Sequence, residues 1–371
     1  MSGIVGTPRA IKLLNKDIIQ DIIKVNGPIT KPEIAKITNL SLVTVNKTVE
    51  TLLQENKVKV SGVNQSTGGR RAQFFEINEE LNYIVGLCYH KDVYLGAIAN
   101  SIGDIIYKQE FPVRVDTYDE VMEDTYFAID TLIEKCNEHV ISAIGIGVPG
   151  VINEGIVTNI PNIPSWENIN IEKIIEEKYQ ITVLLENDIN LATIGLYYND
   201  YKDEVDNLAL IYLEQGIGSG LILNRELFKG STNFAGELSY IPVGNQIMID
   251  GKKTKYKGNF ENKIALINEY LETCTEDKKD EMNEMLLKTI ADGLMSIICV
   301  INPDIIALKL EKLTDEGIKK IEELIEALIH TDNIPKIIKL NDLRKYSIHG
   351  VMNMCIRETM PIYQLTNRKR G

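Results

Sequence analysis

The sequence predicts an α/β protein: a small N-terminal winged helical unit followed by a larger body of two strand–hairpin–helix lobes. Three observations carry this. Apolar residues recur at helical spacing through the N-terminal region, then give way to strand-like apolar runs alternating with helical stretches. Charge divides at the same place: residues 1–75 hold 11 Lys+Arg against 5 Asp+Glu, net +6, and the remainder holds 29 against 48, net −19. Finally, the apolar run 181–185 ends in Glu186-Asn187-Asp188 and passes into the apolar-periodic segment 191–198. A buried strand looks like this when it delivers polar groups to the mouth of a cleft, and in open α/β sheets ligands sit at the carboxyl ends of strands. From the residues alone, Asp188 is a general base for a hydroxyl, a hydrogen-bond acceptor that holds one, or the N-cap of the helix that follows.

In the N-terminal unit, Ile18, Ile19, Ile22, Ile23 and Val25 form one helical face, and Gly27-Pro28 stops that helix. Thr30-Lys31-Pro32-Glu33 is a capping box, in which Thr30 and Glu33 satisfy each other's orphan amides. It opens a short helix containing Ile34, Ala35 and Ile37. Asn39-Leu40 makes a turn, and Ser41 caps a second helix that buries Val45, Val49 and Leu52. So tight a connection reads as helix-turn-helix. The outward positions Ser41, Val43, Thr44, Asn46 and Lys47 are small, polar or cationic, as contacts to base edges and phosphates require. Strand-like segments 57–60 and 73–77 flank Gly68-Gly69-Arg70-Arg71, a hairpin with a doubly basic tip, in effect a wing. The alternative is a protein-interaction module with a solvated basic loop. Charge, capping, turn and wing together favour a double-stranded DNA operator as partner.

In the body, 84–87 and 93–99, with a turn at 101–104, read as adjacent strands. A helix over 118–137 follows, then a buried strand 141–148 ending in Pro149-Gly150, a loop with the only tryptophan, Trp166, and a helix near 171–179. The second block starts at 208–213, runs through Gly216-Ile217-Gly218-Ser219-Gly220 into 221–223, and reaches Gly236-Glu237. A long helix over about 279–301, a strand 304–309, a helix 315–329, a strand 337–338 and a helix after Tyr346 complete it. Two such lobes facing each other suggest an actin-like, sugar-kinase-type fold. The expected domains are 1–78 and 79–371, with lobe one over about 79–195 plus the C-terminal helix and lobe two over about 196–345.

The totals agree with this division. At 371 residues the chain exceeds a single typical core. No apolar run reaches 18 residues, so no membrane span is expected, and the N-terminal residues lack the serial regions of a secretory signal. Five widely spaced cysteines, an odd number, fit reduced thiols in a cytoplasm rather than a disulfide framework. His90 and His139 are isolated and read as structural or exposed, and the lysine-rich stretch 252–257 reads as a solvated loop.

Several motifs occur in one order along nearly the whole chain: Asn39-Leu40-Ser41 to Leu52, Gly68-Gly69-Arg70-Arg71, Gly147-Val148-Pro149-Gly150, Pro161-Asn162-Ile163-Pro164-Ser165-Trp166, Glu186-Asn187-Asp188, Gly216-Ile217-Gly218-Ser219-Gly220 and Ala235-Gly236-Glu237. In this the chain resembles the ROK family (repressors, open reading frames, kinases), specifically its winged-helix repressors of sugar catabolism. The departures are as informative. Where kinase members resemble Asp-x-Gly-x-Thr in the first phosphate loop, this chain has Cys88, His90 and Asp92. A side chain then stands where a backbone amide should face phosphate, and Asp92 adds a repelling charge. Glu214-Gln215 precedes the second phosphate loop where the family resembles Gly-Thr, a carboxylate that repels a polyphosphate, and Lys309-Leu310 replaces a glycine pair near the nucleotide. The family's His-Cys₃ zinc positions align with Tyr240, Lys252, Thr254 and Asn259, and no cysteine or histidine lies between residues 140 and 273, so no metal is expected.

The resemblance therefore implies a sugar-responsive repressor with no catalytic residues and no cofactor. Its sugar-holding set is the Gly150 backbone, Asn187, Asp188, Glu237, Tyr240 and Glu261. With the phosphate loops altered, an activated hydroxyl has no phosphoryl group to attack, so Asp188 is expected to hold sugar rather than to act as a base. Trp166 stacks on a ring face or plugs the lobe. The expected assembly is a homodimer or dimer of dimers in the cytoplasm, without membrane contact. Two alternatives remain: a sugar kinase that kept a DNA-binding head, and a constitutive DNA-binding regulator with a vestigial cleft.

Overall fold

The computed structural model describes residues 8–63, 72–91, 93–158, 160, 163–214, 216–243, 248–249, 252–253 and 260–359. The N-terminal unit closes around its own core of Ile19, Ile23, Ile34, Val45, Val49 and Phe75. Helix α1 (Pro8–Asn26) leads through β1 (Ile29–Thr30) to α2 (Lys31–Thr38), and after a left-handed turn at Asn39 to α3 (Leu42–Gln54). The capping box forms: Glu33 Oε2 accepts the Thr30 amide at 2.9 Å and the Thr30 hydroxyl at 2.6 Å. Strands β2 (Val58–Val63) and β3 (Gln73–Ile77) pair antiparallel with β1 on the far side of β3, which is the winged helix-turn-helix arrangement. The wing tip, with Arg70 and Arg71, lies outside the described residues.

The body opens with β4 (Tyr83–His90), β5 (Val93–Ala99) and β6 (Ile105–Pro112), then α4 (Tyr118–Lys135) and β7 (Ile141–Val148). A small hairpin, β8 (Val151–Asn153) and β9 (Ile156–Thr158), precedes α5 (Ile171–Tyr179) and β10 (Val183–Asn187). The first sheet has the order β10-β7-β4-β5-β6, with β10, β7 and β4 parallel. Central β4 and β7 are covered on both faces and read as continuous apolar runs, whereas the edge strand β6 alternates. Trp166 is fully buried in this lobe's core, so it plugs the lobe and does not stack on a ligand.

Helix α6 (Asp188–Leu196) follows β10 directly and ends in a π turn over Tyr197–Tyr201. The second sheet comprises β11 (Leu208–Glu214), β12 (Gly216–Leu223) and β13 (Glu226–Leu227), which are joined after the small pair β14 (Met248–Ile249) and β15 (Lys252–Lys253) by elements further along the chain. These are α7 (Phe260–Thr273), α8 (Glu276–Val300), β16 (Ile305–Lys309), α9 (Asp315–Glu326) and β17 (Lys336–Lys339), giving the order β13-β12-β11-β16-β17. Helix α7 lies where no helix was expected. Phe260, Ile264 and Ile267 supply a helical apolar face that packs into the second core.

The C-terminal helix α10 (Arg344–Thr359) returns to the first lobe and crosses α6 between the two sheets. Helix α6 is apolar all round because one side packs with Leu191 and Ile194 against the first sheet, and the other with Ala192 and Leu196 against the second. The crossing is backbone against backbone. A Cβ on Gly195 would overlap the Tyr346 carbonyl oxygen, and one on Gly350 would overlap that of Leu191.

The turn 100–104 ties the head to the body. The Ser101 hydroxyl donates to the Asn78 carbonyl at 2.9 Å, and the Ser101 amide to that of Glu79 at 3.0 Å. Gly103 in the same turn lies against Ile356 of α10. Among the described residues, no helix is long and apolar enough to cross a membrane.

Candidate functional site

Register places the site. Cys88 of β4 pairs with Gly147 of β7, which pairs with Glu186 of β10, so three parallel strands end side by side. Pro149-Gly150 and Asn187-Asp188 lie just beyond these ends and line a cleft of about 270 Å³. That is near the small end of ligand sites, roughly 300–1,000 Å³. The opposite wall comes from Gly216 to Gly218, Glu237, Ser239, Tyr240 and Glu261, and the first turn of α10 adds Arg344 and Ser347. All six residues expected to hold sugar thus line one cleft.

Their roles are not equal. Asn187 is the N-cap of α6: its Oδ1 accepts the Ile189 amide at 2.9 Å and the Asn190 amide at 3.0 Å, and its Nδ2 donates to the Gly150 carbonyl at 2.9 Å. Capping, open to Asp188 in the sequence, thus falls one residue earlier. Asp188 is the first helical residue, held by the Ile189 amide at 2.9 Å. Burial pushes the Asp188 carboxyl up to about 6, against the lowering effect of that backbone hydrogen bond. Glu237 is also raised, first by burial, then by the charges of Glu261 and Asp188, and burial raises Glu261. Three carboxyls facing one cleft from its two walls are acceptors for hydroxyl donors. Tyr240 is 55% exposed and packs against the ring of Phe234, with centroids 5.5 Å apart, at the rim of the cleft.

Arg344 and Lys91 line the other end of the cleft, beside His90. His90 is held below its ordinary value by burial and by the nearby Arg344 and Lys91 charges, with Asp342 and Glu214 opposing. Sequence reasoning missed Arg344 and Lys91: nothing local marks the first turn of α10 or a hairpin tip as cleft-lining.

The phosphate-loop positions are occupied by side chains. Cys88 is a buried strand residue packed in the α6–α10 core, and burial raises its thiol well above the ordinary range. The expectation that Glu214 would stand as a repelling charge is corrected. Its Oε1 lies 2.6 Å from Lys309 Nζ, because β11 and β16 are parallel neighbours that bring the two altered positions together. The pair cancels its own charge. Asp92 and Gln215 lie outside the described residues. The residues present do not fit a His-Cys₃ zinc, since Tyr240 and Lys252 stand at two of its positions and among the described residues no three His, Cys, Asp or Glu side chains are grouped to hold a metal ion. Thr254 and Asn259 lie outside them.

On the head, Val43 is 77% exposed and Lys47 is also exposed, with Asn46 and Thr44 half-buried beside them. Ser41 and Thr44 are engaged with each other: Ser41 Oγ accepts the Thr44 amide at 3.2 Å and bonds the Thr44 hydroxyl at 2.8 Å. They build the start of the helix that displays Val43, Asn46 and Lys47.

A family profile described as "ROK family" matches residues 92–341. The chain is similar to the xylose repressor of Caldicellulosiruptor bescii, 26% identical over 246 residues (65% of this chain, 61% of the relative). It is 29% identical over 235 residues to the xylose repressor of Bacillus subtilis (62% and 61%). It is 23% identical over 243 residues to the DNA-binding transcriptional dual regulator NagC of Escherichia coli (64% and 60%). The alignments with these three relatives span about three fifths of each relative's length. In fold it matches a ROK family transcriptional regulator, homologue of the E. coli MLC protein, with a TM-score of 0.73 at 18% identity (94% of this chain, 99% of that one). The ROK hexokinase of Thermus thermophilus gives 0.62 at 18% identity (73% and 97%). With a profile match over more than half its length, the chain belongs to the ROK family.

Proposed function

We propose that this protein is a sugar-responsive repressor of carbohydrate metabolism that performs no phosphoryl transfer. The observation that carries the reading is one chain joining a winged helix-turn-helix to a carboxyl-lined cleft whose phosphate-loop positions hold Cys88, His90 and the Glu214–Lys309 pair. A polyphosphate meets side chains there, whereas a polyhydroxylated ring meets Asp188, Glu237 and Glu261. Relatives are named xylose repressor and, in Escherichia coli O6:H1, N-acetylglucosamine repressor, which sets the first probes.

In this reading the protein is a cytoplasmic homodimer or dimer of dimers on a pseudo-palindromic operator. Val43, Asn46 and Lys47 face the major groove, Ser41 and Thr44 set the helix start, and the wing with Arg70 and Arg71 reaches backbone or minor groove. Sugar gripped by Asp188 on one wall and Glu237 on the other biases the lobes, and so the spacing of two heads. Asp188→Ala is expected to leave operator affinity unchanged and to abolish the sugar response in a fluorescence-anisotropy titration. The reading is sunk if wild-type operator affinity ignores saturating pentoses, hexoses and their phosphates and amino derivatives.

Two head variants separate positioning from readout. Lys47→Ala is expected to weaken binding to all sequences alike and flatten the salt dependence by about one charge, whereas Asn46→Ala should cost about 1–3 kcal/mol at a single base position. Equal behaviour of the two would displace α3 from the groove. The alternative of a kinase that kept its head predicts sugar-dependent ATP consumption, which the filled phosphate loops oppose. A vestigial cleft predicts no sugar-induced rise in melting temperature.

A further inference from the structure

The segment 228–237 leaves β13 of the second sheet and reaches across to the first lobe. Lys229 Nζ lies 3.0 Å from Glu186 Oε2, and Asn233 Nδ2 donates to the Ile152 carbonyl at 2.7 Å. Glu186 lies in β10, one residue before its end, and Ile152 in β8, so both acceptors belong to the lobe that carries the opposite wall of the cleft. The segment ends at Glu237, one of the three cleft carboxyls. Its base is pinned, because the Gly236 carbonyl accepts both the Ser219 amide at 3.1 Å and the Ser219 hydroxyl at 2.9 Å. Gly236 has φ +97°, and a Cβ there would overlap the Ser219 carbonyl oxygen, so the segment cannot slide along β12.

Glu186 joins the two walls. Its side chain is 8% exposed. Oε1 accepts the Asn187 amide at 2.8 Å and Asn190 Nδ2 at 3.0 Å, which shapes the turn that presents Asp188. Oε2 takes Lys229 from the other lobe. A carboxylate this buried gains little net stability from an ion pair over an apolar replacement. What the arrangement supplies is a fixed distance between the element carrying Asp188 and the segment carrying Glu237.

We propose that Glu186 and Lys229, with Asn233, are positioning residues that clamp the two walls of the cleft in register for a polyhydroxylated effector. The ligand half of this proposal rests on the effector-cleft reading above, and the clamp itself does not. Lys229 is 41% exposed, so Lys229→Met keeps the stem, removes the charge and leaves the core untouched.

The test uses the full chain in two arms. In the first, without sugar, hydrogen exchange at the Ile189 and Asn190 amides is expected to quicken about tenfold in Lys229→Met and to return in Lys229→Arg. Amides of the β11–β12 ladder should not change. In the second, calorimetric titration uses whichever of D-xylose, D-glucose and N-acetylglucosamine binds the wild type. Affinity is expected to fall about tenfold in Lys229→Met and to recover in Lys229→Arg. Unchanged exchange at Ile189 and Asn190 overturns the clamp, and so does faster exchange spread equally over the second lobe, which would mark a merely structural role. Faster local exchange with unchanged sugar affinity overturns its positioning role. If no sugar binds the wild type, the effector reading falls and the exchange arm alone decides the clamp.

Discussion

Gly350→Ala and Gly195→Ala are each expected to lower the melting temperature by about 2–6 °C, and to blunt any effector response along with it. Either methyl would be placed against a helix backbone, not against the end of a flexible side chain: the Leu191 carbonyl oxygen in one case and that of Tyr346 in the other. A helix backbone cannot turn aside, so α6 and α10 must part. Overpacking of this kind costs about 1–3 kcal/mol, sometimes more, while the gain in helix propensity from Gly to Ala returns at most about 1 kcal/mol. Parting has a second effect, because α6 begins at Asp188 and the first turn of α10 supplies Arg344 and Ser347 to the cleft. The double variant should lose less than the sum, since both methyls push the same two helices apart. A melting temperature at or above that of the wild type in either single variant would show that the crossing is slack.

The second large effect concerns pH. The Asp188 carboxyl is pushed from 3.8 up to about 6 by burial, so between those values the native state binds more protons than the unfolded chain. Its contribution to stability is therefore greatest at low pH and is lost as pH rises through about 6. Glu237 shifts in the same direction, first through burial and then through the charges of Glu261 and Asp188, which deepens the loss. Asp188→Asn keeps an acceptor for the Ile189 amide and removes the charge. It should stabilise the sugar-free protein by about 1–3 kcal/mol at pH 7.5 and by much less at pH 4.5, as read from urea denaturation of both proteins at both values. A variant less stable than wild type at pH 7.5 would show that the carboxylate is held by partners rather than strained by burial. Sites that store such strain are common where a ligand supplies the missing hydrogen bonds.

What was legible in the sequence was local. The Thr30–Glu33 box, the Ser41 cap and the turn at Asn39 each involve residues within one helical turn, and the structure forms all three. The end of β10 was legible because an apolar run stops at Glu186-Asn187-Asp188. Its cap was not resolved to the residue, since Asn and Asp are about equally good caps and only the backbone decides between neighbours. Helix α7 has Phe260, Ile264 and Ile267 at helical spacing, but it starts where the aligned zinc positions end, which masks its periodicity. The remaining omissions are long-range. Glu214 finds Lys309 through parallel strand neighbours, Glu186 finds Lys229 across the cleft, and Gly195 meets α10 beside Tyr346 at a helix crossing. No short window of sequence contains both partners of any of these.

The crossing also has a mechanical meaning. Helix α10 has 16 residues and is therefore about 24 Å long, with Gly350 near its middle. One end lies in the floor of the cleft. The other carries Ile356, which rests on the turn at Gly103, and that turn grips Asn78 and Glu79, where the head leaves the body. With the backbone contact at Gly350 as its fulcrum, the helix is a lever with arms of about 9 Å to Arg344 and to Ile356. A tilt of about 10° would carry these two points about 1.5 Å in opposite directions. A tilt begun at the cleft would thus reach, with reversed sign, the turn where the head leaves the body.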